Sequence, residues 1–238
     1  MDLKEQGLLT GTEENHWYFV GKSRALLRAF GERPPERILD VGAGSGVYSK
    51  MLLRATSAKE AVCIDPGYAD ESESIYVGKP IAFRRRVIAG DADADVILLM
   101  DVLEHVDDDV ALVRECSRRA PPGARFVVSV PAFSWLWSEH DVFLDHRRRY
   151  TLNGVMSVLR GGGLTPLSGF YFFASIFPGV AALRLLARRR RDRVPKSDLR
   201  EHHPLTNLIL TRVCLAESAV ARHNRAFGLT VFAVAEKL

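Results

Sequence analysis

Hydrophobic and polar positions alternate along this chain in blocks that change period. Arg37 to Val41 is a short apolar strand, and a helical pattern follows over Val47 to Arg54. Glu60 to Ile64 reads as a second strand ending at Asp65, and a third lies near Ile81 to Val87 after a short helix or loop. Ala94 to Met100 is almost unbroken apolar, as expected of a strand buried on both faces of a parallel sheet. Asp108 to Arg119 has helical periodicity, Pro121-Pro122-Gly123 turns the chain, and Phe126 to Val130 is the next buried strand. Strand and helix thus alternate through residue 131, which predicts an α/β, doubly wound sheet.

The flanks differ. Residues 12 to 30 read as a helical N-terminal segment with His16-Trp17-Tyr18-Phe19 at its centre. Thr151 is an expected N-cap for a helix to about Arg160, stopped by Gly161-Gly162-Gly163. Leu164 to Phe173 reads as a strand, residues 174 to 187 are apolar, and Leu205, Leu208, Ile209, Ala216, Ala219 and Val220 share a helical face. Leu229 to Ala235 closes the chain as a strand. The expected organisation is a single domain with a lid segment at 1–35, an α/β core at 36–150 and a C-terminal part at 151–238 carrying a helical cap.

Composition narrows the function classes. The 238 residues are 47% hydrophobic and 26% charged, ordinary for a soluble globular domain. The net charge of +4 is mild, but arginines bunch at 84–86, 147–149 and 188–191 with Arg193. Such bunching suits local anionic partners better than nucleic acid, which calls for a broad basic face. Three dispersed cysteines exclude a disulfide framework and a zinc knuckle. The N-terminus is polar and acidic, without a secretory signal, so the expected compartment is the cytoplasm. Residues 170 to 193 join an apolar stretch to the last arginine run. An interfacial helix on an anionic membrane would have that pattern, and so would a pocket cap or a dimer surface.

The chemistry concentrates after the strands. Asp40-Val41-Gly42-Ala43-Gly44-Ser45-Gly46 is a glycine-rich turn between a strand and a helix. Its geometry suits a nucleotide-like ligand at the carboxyl edge of a sheet. The glycines read G-x-G-x-G and position 47 is Val, against the G-x-G-x-x-G spacing of a dinucleotide fold. Asp65, about 20 residues on, can accept both hydroxyls of a ribose. Met100-Asp101-Val102-Leu103-Glu104-His105-Val106 follows the central strand on the same edge.

In this order the three segments resemble class I S-adenosylmethionine-dependent methyltransferases of the small-molecule type found in bacterial secondary-metabolite, glycan and lipid pathways. The resemblance covers most of residues 36 to 131 and implies a Rossmann-like, seven-stranded sheet with an antiparallel seventh strand at Leu229 to Ala235. It implies S-adenosyl-L-methionine as cofactor, with Asp40, Gly42, Ala43 and Gly44 forming the first motif, Asp65 on the ribose, Asp91 toward the adenine and Asp101 on the same edge. Arg24 is expected to pair with the cofactor carboxylate.

Two flanking segments supply candidates for the acceptor. His16 and Trp17 belong to the expected lid. Pro131 to Thr151 leaves strand five with Trp135, His140, His146, Arg148, Arg149 and Tyr150. Its Trp137-Ser138-x-His140-Asp141 and His146-Arg147-Arg148-Arg149-Tyr150-Thr151 runs also resemble that subgroup. A hydroxyl acceptor needs a base, for which His146 is the first candidate and His140 the second, with Tyr150 beside them. Trp135, Arg148 and Arg149 are expected on the substrate. In ubiquinone-pathway O-methyltransferases, residues matching Asp101, Glu104 and His105 bind a divalent metal; Asp replaces the usual first Glu here, and no metal is assigned. The expected function is methyl transfer to a small-molecule acceptor, O-methylation being favoured. An NAD-dependent reductase and a non-catalytic cofactor-binding or membrane-surface module are the rival readings.

Overall fold

A computed structural model describes the chain except at positions 1, 6, 10, 11, 32, 89, 90, 92 and 188–193. The arginine run at 188–191 with Arg193 therefore lies outside the described residues. The eight strands are β1 (Arg37–Val41), β2 (Glu60–Ile64), β3 (Ser72–Tyr76), β4 (Lys79–Arg84), β5 (Val96–Met100), β6 (Arg125–Pro131), β7 (Thr165–Phe172) and β8 (Thr230–Glu236). They form one sheet in the order β3-β4-β2-β1-β5-β6-β8-β7. From β4 to β6 neighbouring strands are parallel, and β8 runs antiparallel between β6 and β7. The chain builds outward from β1 to one side and then resumes with β5 on the other. The gap between the ends of β1 and β5 is thus the topological switch point, where open α/β sheets bind ligands.

The helices are α1 (Trp17–Phe30), α2 (Val47–Ala55), α3 (Asp109–Arg119), α4 (Glu139–Phe143), α5 (Leu152–Gly161), α6 (Phe177–Ala187) and α7 (Pro204–Val220). Strand alternation divides the core into two layers. Ile38 and Leu98 pack with Leu26, Phe30 and Leu52 of α1 and α2, while Leu39, Ile97 and Leu99 pack with Val113, Val155 and Leu159 of α3 and α5. Thr151 caps α5, its hydroxyl accepting from the Gly154 N–H at 3.1 Å. Helix α1 meets α7 closely at Gly21, where a Cβ would stand 2.8 Å from Cys214 Cβ.

The strand count is corrected. The sheet has eight strands because residues 72–84 form a hairpin whose turn puts both Val77 (φ 47°) and Gly78 (φ 78°) in the left-handed region. Such turns match strand twist. Among the described residues no α-helix covers the crossover from β4 to β5. Asp91 lies in that connection, ion-paired with Arg84 and accepting from the Ile88 N–H at 2.8 Å. The apolar set on α7 shares one face, and that face is outward. Leu205, Leu208, Ile209 and Val220 are exposed, and the buried positions are Cys214 and Ser218.

Candidate active site

The glycine turn is stitched to the end of β2. The N–H groups of Gly42 and Ala43 both donate to the Ile64 carbonyl, at 2.7 and 3.0 Å. Asp65 accepts from the Gly44 N–H at 3.0 Å and the Gly67 N–H at 2.9 Å. Gly42, Gly44 and Gly46 have φ of 71°, 52° and 68°. A Cβ on Gly42 would stand 2.6 Å from Val102, and one on Gly46 2.8 Å from Phe83. At these two positions a side chain would strike protein, so the glycines let the turn nest against the loop after β5 and against β4. Behind the turn, Asp40 is buried and accepts from the Ser49 hydroxyl at 2.8 Å, and burial pushes its carboxyl up to about 6.

A cavity of about 850 Å³ opens at this edge. Gly42, Asp65 and Asp101, from the ends of β1, β2 and β5, line it together with Glu104, His140, His146 and Arg149. His16, Trp17, Tyr18 and Phe173 also line it. Its size is within the range of cofactor sites, and the sequence-distant segments expected on cofactor and acceptor share one space. The residues present thus fit S-adenosylmethionine.

His146 is the best-built side chain of the site. Its ring is buried, and Nδ1 lies 2.9 Å from Asp141 Oδ1. Asp141 is itself fully buried and accepts from the Ser138 N–H at 2.8 Å and from Arg149 Nε and Nη2 at 2.7 and 2.9 Å. Burial pushes the Asp141 carboxyl up, but the hydrogen bonds from His146 and Arg149 outweigh it and hold the group well below the usual range. An ionised Asp141 accepts the hydrogen bond of the Nδ1–H tautomer of His146, which leaves Nε2 as the acceptor nitrogen. His140 is differently placed: Nδ1 accepts from the Asp198 N–H at 3.1 Å, and burial lowers its pKa to about 4. His16 is the N-cap of α1, with Nε2 donating to the Arg200 carbonyl at 3.0 Å.

Not all expected site residues meet at the cavity. Arg24 is exposed on a separate shallow groove with Leu27, Arg28 and Met51, because two residues along a helix turn a side chain about 200° from its neighbour's direction. Lys22 points inward instead and is ion-paired with Asp101. Asp91 is tied up in the β4–β5 connection and does not line the cavity. Tyr150 is buried behind it, its hydroxyl 2.7 Å from Asp109 Oδ2 and 3.0 Å from the Leu103 carbonyl. Arg148 binds the Val106 and Asp107 carbonyls at 3.1 and 2.7 Å and pairs with Asp109, so it clamps the chain. Arg149 lines the cavity but commits Nε and Nη2 to Asp141 and Nη1 to the Ala132 carbonyl at 3.0 Å. Trp135 lies off the cavity, stacked on Phe133 at 5.9 Å.

Glu104 is fully buried with neither carboxylate oxygen hydrogen-bonded. Burial, and then the charge of Asp101, push its carboxyl well above the ordinary range. Glu104, His105 and His146 could each offer an atom to a metal, all within 4.8 Å of one another. His146 thereby takes the place that Asp101 holds in the set read from the sequence, since Asp101 is committed to Lys22.

The chain is similar to known proteins. Residues 15–171 match the family described as a methyltransferase domain. A ubiquinone biosynthesis O-methyltransferase of Hahella chejuensis is 36% identical over 100 residues, 38% of this chain and 41% of that protein. The chain thus spans less than half the length of such curated relatives. A geranyl diphosphate methyltransferase structure superimposes with a TM-score of 0.55 at 12% identity, covering 92% of this chain and 85% of that one. An O-methyltransferase family protein from Burkholderia thailandensis gives a TM-score of 0.52 at 11% identity over 91% of this chain and 55% of that one. These two likenesses are of fold.

Proposed function

The chain belongs to the methyltransferase-domain family, and on that premise we propose that it transfers the methyl group of S-adenosylmethionine to a hydroxyl of a small-molecule acceptor. One observation carries the reading: a single cavity is lined both by the glycine edge, at Gly42 and Asp65, and by the His146 imidazole oriented by Asp141. The cofactor supplies an activated methyl when bound. The chain's own part is to position and to move one proton. Gly42, Asp65 and Asp101 hold the cofactor at the switch point. His16, Trp17 and Phe173 help to keep water out of the cavity, where placement of the acceptor against the methyl provides most of the acceleration. His146 Nε2 accepts the acceptor's hydroxyl proton, and ionised Asp141 stabilises the resulting imidazolium. His140 has Nδ1 occupied and Nε2 protonated, so it serves as a donor rather than as the base.

Support for O-methylation over C- or N-methylation comes from this base and from the O-methyltransferase relatives. The reading is tested by calorimetric titration with S-adenosylhomocysteine and with NAD. Saturable binding of the first alone is expected, and Gly44→Leu, placed at φ 52° beside Asp65, should abolish it. Tight NAD binding without response to S-adenosylhomocysteine would defeat the reading.

Peripheral contact with an anionic membrane is a further element of the proposal. No described helix is long and apolar enough to cross a membrane. Helix α6 lines the cavity through Val180, Leu183 and Arg184, and on it Leu183 is 69% and Leu186, off the cavity, 62% exposed. If this face docks on lipid, vesicles with anionic headgroups should bind the protein, salt should weaken the binding, and Leu186→Asp should reduce it. Equal recovery with neutral and anionic vesicles, or none with either, would favour the pocket-cap alternative.

A further inference from the structure

We propose that Lys22 is a positioning residue for the amino-acid end of the cofactor, holding Asp101 as an ionised carboxylate that receives the cofactor's ammonium. The inference rests on the methyl-transfer reading and assigns a role to a residue which that reading leaves unused.

Lys22 sits on the inner face of α1 with its side chain fully buried. A buried ammonium is costly unless a charge and hydrogen bonds answer it. Here Nζ is ion-paired with Asp101, donates to the Tyr18 hydroxyl at 3.1 Å, and lies 5.3 and 5.8 Å from the ring centres of Tyr18 and Tyr48. Tyr18 and Tyr48 line the cavity, as Asp101 does, whereas Lys22 does not. The lysine therefore stands one layer behind the wall and acts through Asp101.

Asp101 is not built like half of a purely structural pair. Its side chain keeps 31% of its surface exposed, while that of Lys22 keeps none. It is also held at φ 58°, in the left-handed region that non-glycine residues enter at a cost. The neighbours over-determine that conformation. The Asp101 N–H donates to the Ser129 carbonyl at 2.9 Å, the Ser129 hydroxyl donates to Asp101 Oδ1 at 3.2 Å, and the next residue, Val102, packs on Gly42. The result is a carboxylate turned into the cavity beside the glycine turn, pinned from behind by a cation no ligand can reach. Such a group is suited to a positively charged ligand atom, and S-adenosylmethionine carries an ammonium on its amino-acid end.

The test is calorimetric binding of three ligands to the intact protein and to Lys22→Met, in which an unbranched thioether fills the space of the lysine stem. S-adenosylhomocysteine has both the ammonium and the carboxylate, decarboxylated S-adenosylmethionine has the ammonium alone, and 5′-methylthioadenosine has neither. Loss of a charge-assisted contact predicts affinity for the first two weakened by about tenfold or more in Lys22→Met, with 5′-methylthioadenosine unchanged. A parallel loss for all three ligands would mean that the variant disturbs the fold, and would overturn the assignment. So would unchanged affinity for all three. Weakening of S-adenosylhomocysteine alone would place Lys22 on the carboxylate and also overturn it. If the wild-type protein binds none of the three, the cofactor reading itself fails and this inference with it.

Discussion

His146→Ala should lower turnover by about 100-fold or more while leaving affinity for S-adenosylhomocysteine nearly intact. The reason is local. His146 lines the cavity, and its Nδ1 is committed to Asp141 at 2.9 Å, which leaves Nε2 as the proton acceptor. Nothing in the glycine turn depends on the imidazole, so binding and catalysis should separate. The deficit should shrink as pH rises, because a hydroxyl acceptor then ionises without help. Steady-state rates between about pH 6 and 10 check both parts. A variant as fast as the wild type would remove base catalysis from the mechanism and leave positioning to carry the reaction, as for a carbon or nitrogen acceptor.

Asp141→Ala should be the most damaging substitution for stability. It strips a carboxylate from Arg149, whose side chain is 3% exposed, and leaves the guanidinium buried without its counter-charge. Breaking such a pair costs about 3–5 kcal/mol, a fall in Tm of roughly 10 °C for a chain of this size. The pH dependence has a definite sign. The folded-state pKa of Asp141 lies below its unfolded value of about 3.9. Its contribution is therefore complete above about pH 4 and is lost as pH falls toward the folded pKa. Thermal melts should show the wild type losing stability on acidification below about pH 4, with that component missing from Asp141→Ala. Equal melting temperatures at pH 7 would show that the Asp141 hub is not needed.

The parallel core was legible because its strands are apolar runs with few interruptions and its turn is written in glycine. Asp40 to Gly46, Asp65 and Asp101 fall at the ends of β1, β2 and β5, as their spacing implies. The β3–β4 hairpin was not legible: Val at a left-handed turn position carries no such signal, and only Gly78 marked it. The apolar set on α7 was legible as a face, but its outward direction was not. Periodicity shows that a face exists, and not whether protein covers it.

In the site, residue type was a weaker guide than direction. Arg24 looked like the cation of the N-terminal helix, but Lys22 stands on the face defined by Tyr18 and Phe19, four and three residues earlier. That i, i+3, i+4 relation could have identified it. The arginines at 147–149 look alike in sequence. In the fold they diverge: Arg147 pairs with Asp107 at the surface, Arg148 clamps the loop after β5, and Arg149 supports Asp141. Asp141 emerged as the hub because four groups converge on it, which no local spacing expresses.

The proposed methyl transfer requires the glycine edge and the His146 wall to belong to one site. The most direct test is a crystal structure of the protein with S-adenosylhomocysteine. The ribose is expected on Asp65, the ammonium on Asp101 and the thioether sulfur facing the His146 side of the cavity. A cofactor bound away from Gly42 and Asp65, or bound there with its sulfur turned from His146, would contradict it.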